Sequence, residues 1–179
     1  RDPRTGLPVW SLYSETRMPT PEMLADIDVM VFDLQDVGVR FYTFIWTMYQ
    51  AMEACARQGT SFVVLDRPNP LGVRVDGPLL DPGLASFVGI RELPLQHGMT
   101  VGELAMLFNA EHLDPPVEDL RVVAMSGYDA AATPFDPALL WVPPSPNLPQ
   151  RRSAWAHAAT GLIDGTTISQ GVGTALPFE

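Results

Sequence analysis

Acidic side chains follow two apolar runs of the chain, at the point where each run ends. Residues 29–32 form a β-prone apolar run that ends on Asp33, and residues 61–65 end in the same way on Asp66. Since the carboxyl ends of neighbouring parallel strands meet at one edge of a sheet, we expect Asp33 and Asp66 to lie close together. Two carboxyl groups with different environments can serve as the acid and the base, or nucleophile, that cleave a glycosidic bond.

Further polar residues share the loops that contain these acids. Asp36, Arg40 and Tyr42 follow the first apolar run, and the second run leads into Asp66-Arg67-Pro68-Asn69-Pro70. A sugar needs donors and acceptors at fixed places, and an arginine adds bidentate recognition of a carboxylate. The structural alternative stays open: these acids accept hydrogen bonds from loop N–H groups or pair with Arg40 or Arg67, and the prolines and Asn69 build a turn.

A histidine directly precedes the next predicted helix. Thr100 and Glu103 have the spacing of a capping box, which favours a structural role for Glu103. His97 lies beside a glycine, so we expect its imidazole to be accessible. The three histidines lack close ligand spacing, so we expect no metal site.

The hydrophobic periodicity predicts the elements that must position these residues. In chain order they are a strand at 9–13, a short helix at about 21–27, a strand at 29–33, a helix at 43–58, a strand at 61–66, a helix at 100–111 and a strand at 120–125. The run at 29–32 is typical of a strand buried on both faces. Strands that alternate with helices predict an α/β fold, with a mostly parallel sheet and helices on both faces.

Composition excludes several functional classes. The net charge of −10 argues against nucleic acid as a partner, because binding a phosphate backbone requires clustered cations. All 11 basic residues are arginine, which excludes a Schiff-base lysine and a lysine-bearing phosphate loop within these residues. Cys55 is the only cysteine, so no disulfide can form inside the chain, and we expect it in the core. No apolar stretch reaches the roughly 18 residues of a membrane span.

A proline-rich segment separates the last part of the chain from the rest. Residues 141–149 read WVPPSPNLP, and proline makes such a segment extended and rigid. We therefore expect a domain edge near residue 150. Residues 1–150 then form an α/β domain whose N-terminal part precedes Arg1, and residues 151–179 form a linker and the beginning of a truncated C-terminal domain.

Seven motifs, in order along nearly the whole chain, resemble the exo-β-N-acetylmuramidases of the NamZ/YbbC type. They are VFDLQDVGVRFYTFIWTM, VVLDRPNP, VDGP, SFVG, LPLQHGMTVGELA, WVPPSPNLP and GTALPFE. The resemblance implies a Rossmann-like domain followed by a smaller one, with the site in the cleft between them. It also implies a cofactor-free hydrolase of the bacterial cell envelope, periplasmic or secreted, that acts in cell-wall recycling. Such an enzyme releases terminal N-acetylmuramic acid from the non-reducing ends of peptidoglycan fragments.

The resemblance also implies which residues form the site. The catalytic candidates are Asp33, Asp36, Asp66 and Asp164. The candidates for substrate binding are Gln35, Arg40, Tyr42, Arg67, Asn69, His97 and Asn147. N-acetylmuramic acid carries a lactyl carboxylate, which gives an arginine such as Arg40 or Arg67 a chemical reason to be present.

The last segment of the chain departs from the family pattern. Asp164 replaces the glutamate of an EGTN-like segment, and Gln170 and Val172 replace the glutamate and arginine of a SEGRGT-like one. A shorter or neutral side chain in a catalytic position predicts slow turnover or altered specificity. Two alternatives follow: a non-catalytic muropeptide-binding or scaffold protein with the same fold, or another α/β enzyme that acts on an anionic small molecule.

Overall fold

The computed structural model describes residues 1–130 and 139–178. The strands are β1 (Val29–Phe32), β2 (Ser61–Leu65), β3 (Asp76–Leu79), β4 (Pro94–Gln96) and β5 (Leu120–Val123). The α-helices are α1 (Pro21–Leu24), α2 (Phe44–Gln58), α3 (Val101–Glu111) and α4 (Arg151–Thr160), and short 3₁₀ helices span Pro82–Leu84 and Gly161–Gly165.

The larger sheet is parallel. Its strands lie in the order β1-β2-β5, with Val31 opposite Val63 and Val63 opposite Arg121. A separate antiparallel pair, β3 and β4, lies between β2 and α3 in the chain and has no counterpart among the predicted strands. The predicted α/β class with a parallel sheet is confirmed.

Local signals set the ends of the helices as the sequence predicts. Thr100 caps α3 and Glu103 reaches back to the cap, so the capping box is present. Gly59 ends α2 in the left-handed conformation, with φ of 70°, which a residue without a Cβ adopts at no steric cost. Thr20 accepts a hydrogen bond at the start of α1.

Helices α2 and α3 pack together on one face of the parallel sheet. Trp46 and Phe108 are fully buried there, with ring centroids 5.6 Å apart. They lie in one core cluster with Phe32 and Phe62 of the sheet. Cys55 belongs to the same cluster, and burial raises the pKa of its thiol to about 11. The predicted core position of Cys55 is confirmed.

The opposite face of this sheet is exposed and carries several valines beside Arg121. Val29, Val31 and Val123 lie there, and Val31 keeps 54% of its surface accessible. The prediction that β1 is buried on both faces is therefore wrong. Because α2 and α3 lie on the face that carries Phe32, they leave the alternate residues of β1 uncovered, and no described helix covers that second face.

The predicted strand at 9–13 is also wrong. These residues form an irregular segment, and the hydroxyl of Tyr13 lies 3.0 Å from Thr43 Oγ1 and 3.1 Å from Thr47 Oγ1. Val9 and Trp10 remain exposed. An apolar run makes a strand only where a neighbouring strand can pair with it, and no described strand lies beside this run.

A second, smaller core lies where α4 meets the loop after β1. Its buried members are Val37, Val39, Leu71, Leu148, Ala154 and Phe178. These residues come from both sides of the predicted domain edge near residue 150. The division into two domains stays a prediction.

Candidate active site

Three loops meet at the carboxyl edge of the parallel sheet and form the candidate site. We name them the β1 loop (residues 33–43), the β2 loop (residues 66–75) and the β4 loop (residues 97–100). Five side-chain ties connect them, each between residues more than 25 positions apart in the sequence.

A buried pair connects the β1 loop to the β4 loop. The Nε2 atom of His97 lies 3.1 Å from Asp36 Oδ2, which also accepts a hydrogen bond of 2.7 Å from the backbone N–H of Gly38. The N–H of Met99 donates to His97 Nδ1, so the ring proton is on Nε2 and donates to Asp36. His97 is buried, so the prediction of an accessible imidazole is wrong: the ring turns inward to reach Asp36. Asp36 is only 4% exposed, and its Oδ1 atom is buried without a hydrogen-bond partner among the described residues.

Two side-chain amides form further hydrogen bonds between the three loops. Gln35 Nε2 donates to the carbonyl of Pro68 at 2.9 Å, which joins the β1 and β2 loops. Asn69 is buried; its Nδ2 donates to the carbonyl of Met99 and its Oδ1 accepts from Leu71 N–H. These polar atoms order the loops, and the hydrogen bond from Leu71 N–H to Asn69 is the turn of the structural alternative. The roles of Gln35 and Asn69 in substrate binding stay predictions.

Asp66 is held at the first turn of α3. Its Oδ1 accepts hydrogen bonds from the N–H groups of Gly102 at 2.8 Å and Arg67 at 3.0 Å, and its Oδ2 accepts from Thr100 Oγ1 at 3.0 Å. Negative charge is favourable at a helix N-terminus. A Cβ on Gly102 would lie 2.8 Å from the carboxyl carbon of Asp66, so the close approach requires glycine. Asp66 therefore has a fixed orientation beside the pocket described below.

Asp33 and Arg67 form an ion pair at the rim of the site. Arg67 Nε donates to Asp33 Oδ1 at 2.9 Å, and Arg67 Nη2 donates to the same oxygen. Both side chains are partly exposed. The predicted proximity of the two strand ends is confirmed by this contact, since Arg67 directly follows Asp66.

Arg40 and Asn147 lie at the periphery. Arg40 Nη1 donates to the carbonyls of Pro78 and Leu93, so the guanidinium fastens the β1 loop to β3 and β4. Burial lowers the pKa of Arg40. Asn147 is half-buried and its backbone N–H donates to Ser145 Oγ. Their roles in substrate binding stay predictions.

An aromatic cluster joins the β1 loop to α4. His157 lies against the rings of Phe41, Tyr42 and Phe178 at centroid distances of 5.0, 6.0 and 4.6 Å. Burial lowers the pKa of His157 to about 4, although the carboxylates of Asp164 and Asp36 act in the opposite direction. Burial and the nearby carboxylate of Asp36 raise the pKa of Tyr42. Sequence reasoning missed His157, which no motif marks.

The segment that departs from the family pattern follows α4 in the chain. Asp164 is exposed on the 3₁₀ helix Gly161–Gly165, and its negative charge acts to raise the pKa of His157. Gln170 is buried, and its Nε2 donates to the carbonyls of Thr160 and Gly161 at 2.9 and 3.0 Å. Its amide thus caps the C-terminal end of α4.

A cavity of about 460 Å³ opens beside these loops. Gln35, Asp66 and Arg67 form one wall. A second part of the wall comes from the loop after β5, residues 125–129, together with Leu139 and Leu140. Sequence reasoning missed this second wall, although the rule that placed Asp33 and Asp66 at strand ends applies equally to the end of β5.

The fold and the cavity define an α/β protein of Rossmann-like type with a cavity at the carboxyl edge of its parallel sheet. The chain belongs to the family described as Exo-beta-N-acetylmuramidase NamZ, N-terminal, which residues 1–152 match. The resemblance drawn from the seven motifs is thereby confirmed.

Similar proteins support the same assignment. The chain is 53% identical over 180 residues to the peptidoglycan beta-N-acetylmuramidase NamZ of Bacillus subtilis (strain 168), a match that covers 99% of this chain and 43% of that protein. Crystal structures of two DUF1343 family proteins from Bacteroides fragilis NCTC 9343 match with TM-scores of 0.91 and 0.89 and identities of 44% and 40%. They cover 99% of this chain, which spans 47% and 48% of theirs. The chain thus spans about half the length of the relatives it matches.

The described residues contain neither a cluster of metal ligands nor a membrane-spanning helix. Residues 1–130 and 139–178 contain no group of three or more His, Cys, Asp or Glu side chains that could hold a metal ion. None of the helices in these ranges combines the length and apolar character needed to cross a membrane.

Proposed function

We propose that the protein to which these residues belong is a glycoside hydrolase that releases terminal N-acetylmuramic acid from the non-reducing ends of peptidoglycan fragments. The observation that carries the proposal is the 53% identity, over 99% of the chain, to a peptidoglycan beta-N-acetylmuramidase. Because the chain spans 43% of that relative, the activity is proposed for the longer polypeptide. We also propose that the protein acts in the cell envelope, periplasmic or secreted, because its proposed substrate is peptidoglycan.

The cavity supports this substrate class. Its volume of about 460 Å³ suits a small ligand, because ligand pockets in proteins measure roughly 300 to 1,000 Å³. Arg67 is the only basic residue among the described residues that line it. Arg67 is therefore our candidate for binding the lactyl carboxylate of N-acetylmuramic acid, through the guanidinium N–H groups that its pair with Asp33 leaves over. Arg40 is a weaker candidate, because it is not among the residues that line the cavity and its Nη1 donates to two carbonyls.

One carboxyl group proposed for glycosidic cleavage, that of Asp66, lines the cavity, and Asp33 is joined to the cavity wall through Arg67. Asp36 lies in the same loop as Asp33, and its Oδ1 is buried with no hydrogen-bond partner among the described residues. A carboxylate pair on either side of the glycosidic oxygen can hydrolyse the bond through an oxocarbenium-like transition state. The loop ties keep these groups in place before substrate arrives, which reduces the reorganisation that binding requires.

A second candidate function is muropeptide binding without hydrolysis. Gln170, in place of the glutamate of the family pattern, donates its amide protons to helix carbonyls and cannot act as an acid or base. Asp164 is shorter than the glutamate it replaces and is exposed. A protein that keeps the pocket and lacks the chemistry would bind muropeptides as a scaffold.

Hydrolysis of a defined disaccharide separates the two functions. The full-length protein is incubated with β-1,4-linked N-acetylmuramyl-N-acetylglucosamine, and released N-acetylmuramic acid is measured by chromatography. We expect release by the wild type and a loss of about a hundredfold or more in Asp33→Asn, Asp66→Asn or Asp164→Asn. Asp26→Asn, which changes an exposed acid after α1, is the matched control and should retain activity.

The possible results support different functions. Binding of the disaccharide without release by the wild type supports the scaffold function. Release that all three site variants retain refutes the assignment of these carboxyl groups. Arg67→Lys keeps the charge but loses the bidentate geometry, so we expect it to raise KM while kcat changes less.

A further inference from the structure

Part of the wall of the cavity that Arg67 lines is apolar. Met125, Tyr128, Leu139 and Leu140 contribute side chains to it. Leu140 leaves 84% of its surface accessible and Leu139 also is exposed. Neighbouring apolar side chains that stay exposed beside a cavity commonly mark a surface that a ligand covers.

Tyr128 is the fixed part of this wall. It is half-buried, and the backbone of Asn69 in the β2 loop hydrogen-bonds its hydroxyl. Burial raises the pKa of the phenol, and the nearby charge of Asp66 acts in the same direction. The hydroxyl is therefore directed to the β2 loop, and the ring is left to present its carbon surface to the cavity.

The two walls together match one part of the proposed substrate. A cation and an apolar surface in the wall of one cavity suit a group that combines a carboxylate with a methyl substituent. The lactyl ether of N-acetylmuramic acid is such a group, and N-acetylglucosamine lacks it. Asp66 and Asp129 also line the cavity, so Arg67 is the one lining residue whose charge attracts a ligand carboxylate among those the structure describes.

We infer that Tyr128, Leu139 and Leu140 form an apolar subsite for the methyl of the lactyl group, while Arg67 binds its carboxylate. This inference rests on the proposed function and adds residues that determine specificity. The subsite selects N-acetylmuramic acid over sugars that carry the carboxylate alone.

Equilibrium binding to the full-length protein tests the subsite without requiring hydrolysis. Calorimetry compares N-acetylmuramic acid with 3-O-carboxymethyl-N-acetylglucosamine, which keeps the carboxylate and lacks the methyl. We expect the wild type to prefer N-acetylmuramic acid by about three- to fivefold, the difference that one buried methyl makes. Leu140→Asn should reduce this preference to near unity. Leu84→Asn, at another exposed leucine on the 3₁₀ helix Pro82–Leu84, should keep it.

Variants of Tyr128 test the ring separately from the hydroxyl. Tyr128→Phe keeps the carbon surface and should bind N-acetylmuramic acid within about twofold of wild type, whereas Tyr128→Ala should bind it about tenfold more weakly. Circular dichroism verifies that each variant is folded.

The results distinguish this inference from the proposed function. Unchanged preference in both Leu140→Asn and Tyr128→Ala, in a wild type that hydrolyses the disaccharide, overturns the subsite and leaves the function standing. A wild type that binds with the expected preference and releases nothing overturns the hydrolase and leaves the subsite standing. A wild type that binds both sugars equally overturns the inference.

Discussion

Gln170 shows how one polar atom can decide the stability of a segment. Its Nε2 donates to the carbonyls of Thr160 and Gly161, where α4 ends and the 3₁₀ helix begins. The negative end of the helix dipole points at the same place. A neutral amide fits this position, and a carboxylate would face two carbonyl oxygens.

We predict that Gln170→Glu lowers the free energy of unfolding at pH 7 by about 1 to 3 kcal/mol, because it replaces two hydrogen bonds with repulsion in a buried place. The surroundings raise the pKa of the introduced carboxyl, so the loss is present above that raised pKa. It disappears as pH falls toward the unfolded value of about 4.3, where a protonated glutamate can donate. Urea denaturation of variant and wild type at pH 7 and pH 4 measures the difference.

Gln58→Glu is the matched control for this change. Gln58 is the exposed last residue of α2, so the same substitution there also meets the C-terminal end of a helix but stays solvated. Its cost should be about 0.3 to 1 kcal/mol. Equal costs at both positions would contradict the role given to Gln170.

At the scale of elements, α4 is attached to the β1 loop through aromatic contacts around His157. Both ring nitrogens of His157 are buried without hydrogen-bond partners among the described residues. Its ring contacts therefore resemble those of a phenylalanine, and the imidazole stays neutral at ordinary pH because its pKa is about 4.

The buried position of His157 predicts that the free energy of unfolding depends on pH. The pKa of a histidine in the unfolded chain is about 6.5, so between pH 6.5 and 4 the unfolded state binds a proton that the folded state does not. Stability is therefore lost as pH falls through this window, by up to about 2 kcal/mol between pH 7 and pH 5. His157→Phe should remove that part of the slope in denaturation measured at a series of pH values. An unchanged slope in the variant would assign the pH dependence to other groups.

The elements also show which parts of the fold a sequence can predict. Thr100 and Glu103, or Gly59 after α2, act on residues within one helical turn, so their pattern is visible locally. The ties that build the site join distant residues: Asp33 and Arg67 are 34 positions apart, and Asp36 and His97 are 61 apart. Periodicity carries no information about such pairs.

The wrong predictions for His97 and β1 both arise because tertiary packing decides the exposure of a residue. His97 lies beside a glycine, which suggested an exposed ring, yet Asp36 is the partner that draws the ring inward. The exposed residues of β1 follow from the placement of two helices on one face, which depends on tertiary packing. The substrate-binding and catalytic roles of the individual site residues stay predictions that the experiments above address.

At the scale of the whole molecule, one core under the parallel sheet supplies most of the apolar packing. Leu104 of α3 is fully buried in it, whereas Leu84 is 71% exposed. We predict that Leu104→Ala lowers the free energy of unfolding by about 2 to 5 kcal/mol, through lost transfer energy and the cavity left behind. Leu84→Ala should change it by less than about 0.5 kcal/mol. Chemical denaturation of both variants measures the contrast, and similar costs would mean that α3 is not part of the cooperative core.

Cys55 makes that core observable without any substitution. It is the only cysteine of the chain, it is fully buried in the same cluster as Leu104, and its thiol has a pKa of about 11. A thiol reagent reacts with the thiolate form of cysteine. Alkylation of Cys55 in the native protein at neutral pH is therefore slow for two reasons: burial excludes the reagent, and little of the thiol is ionised. The rate of alkylation then reports how readily α2 opens away from the sheet. A ligand that stabilises the closed form lowers this rate in proportion to the fraction of protein that is ligand-bound.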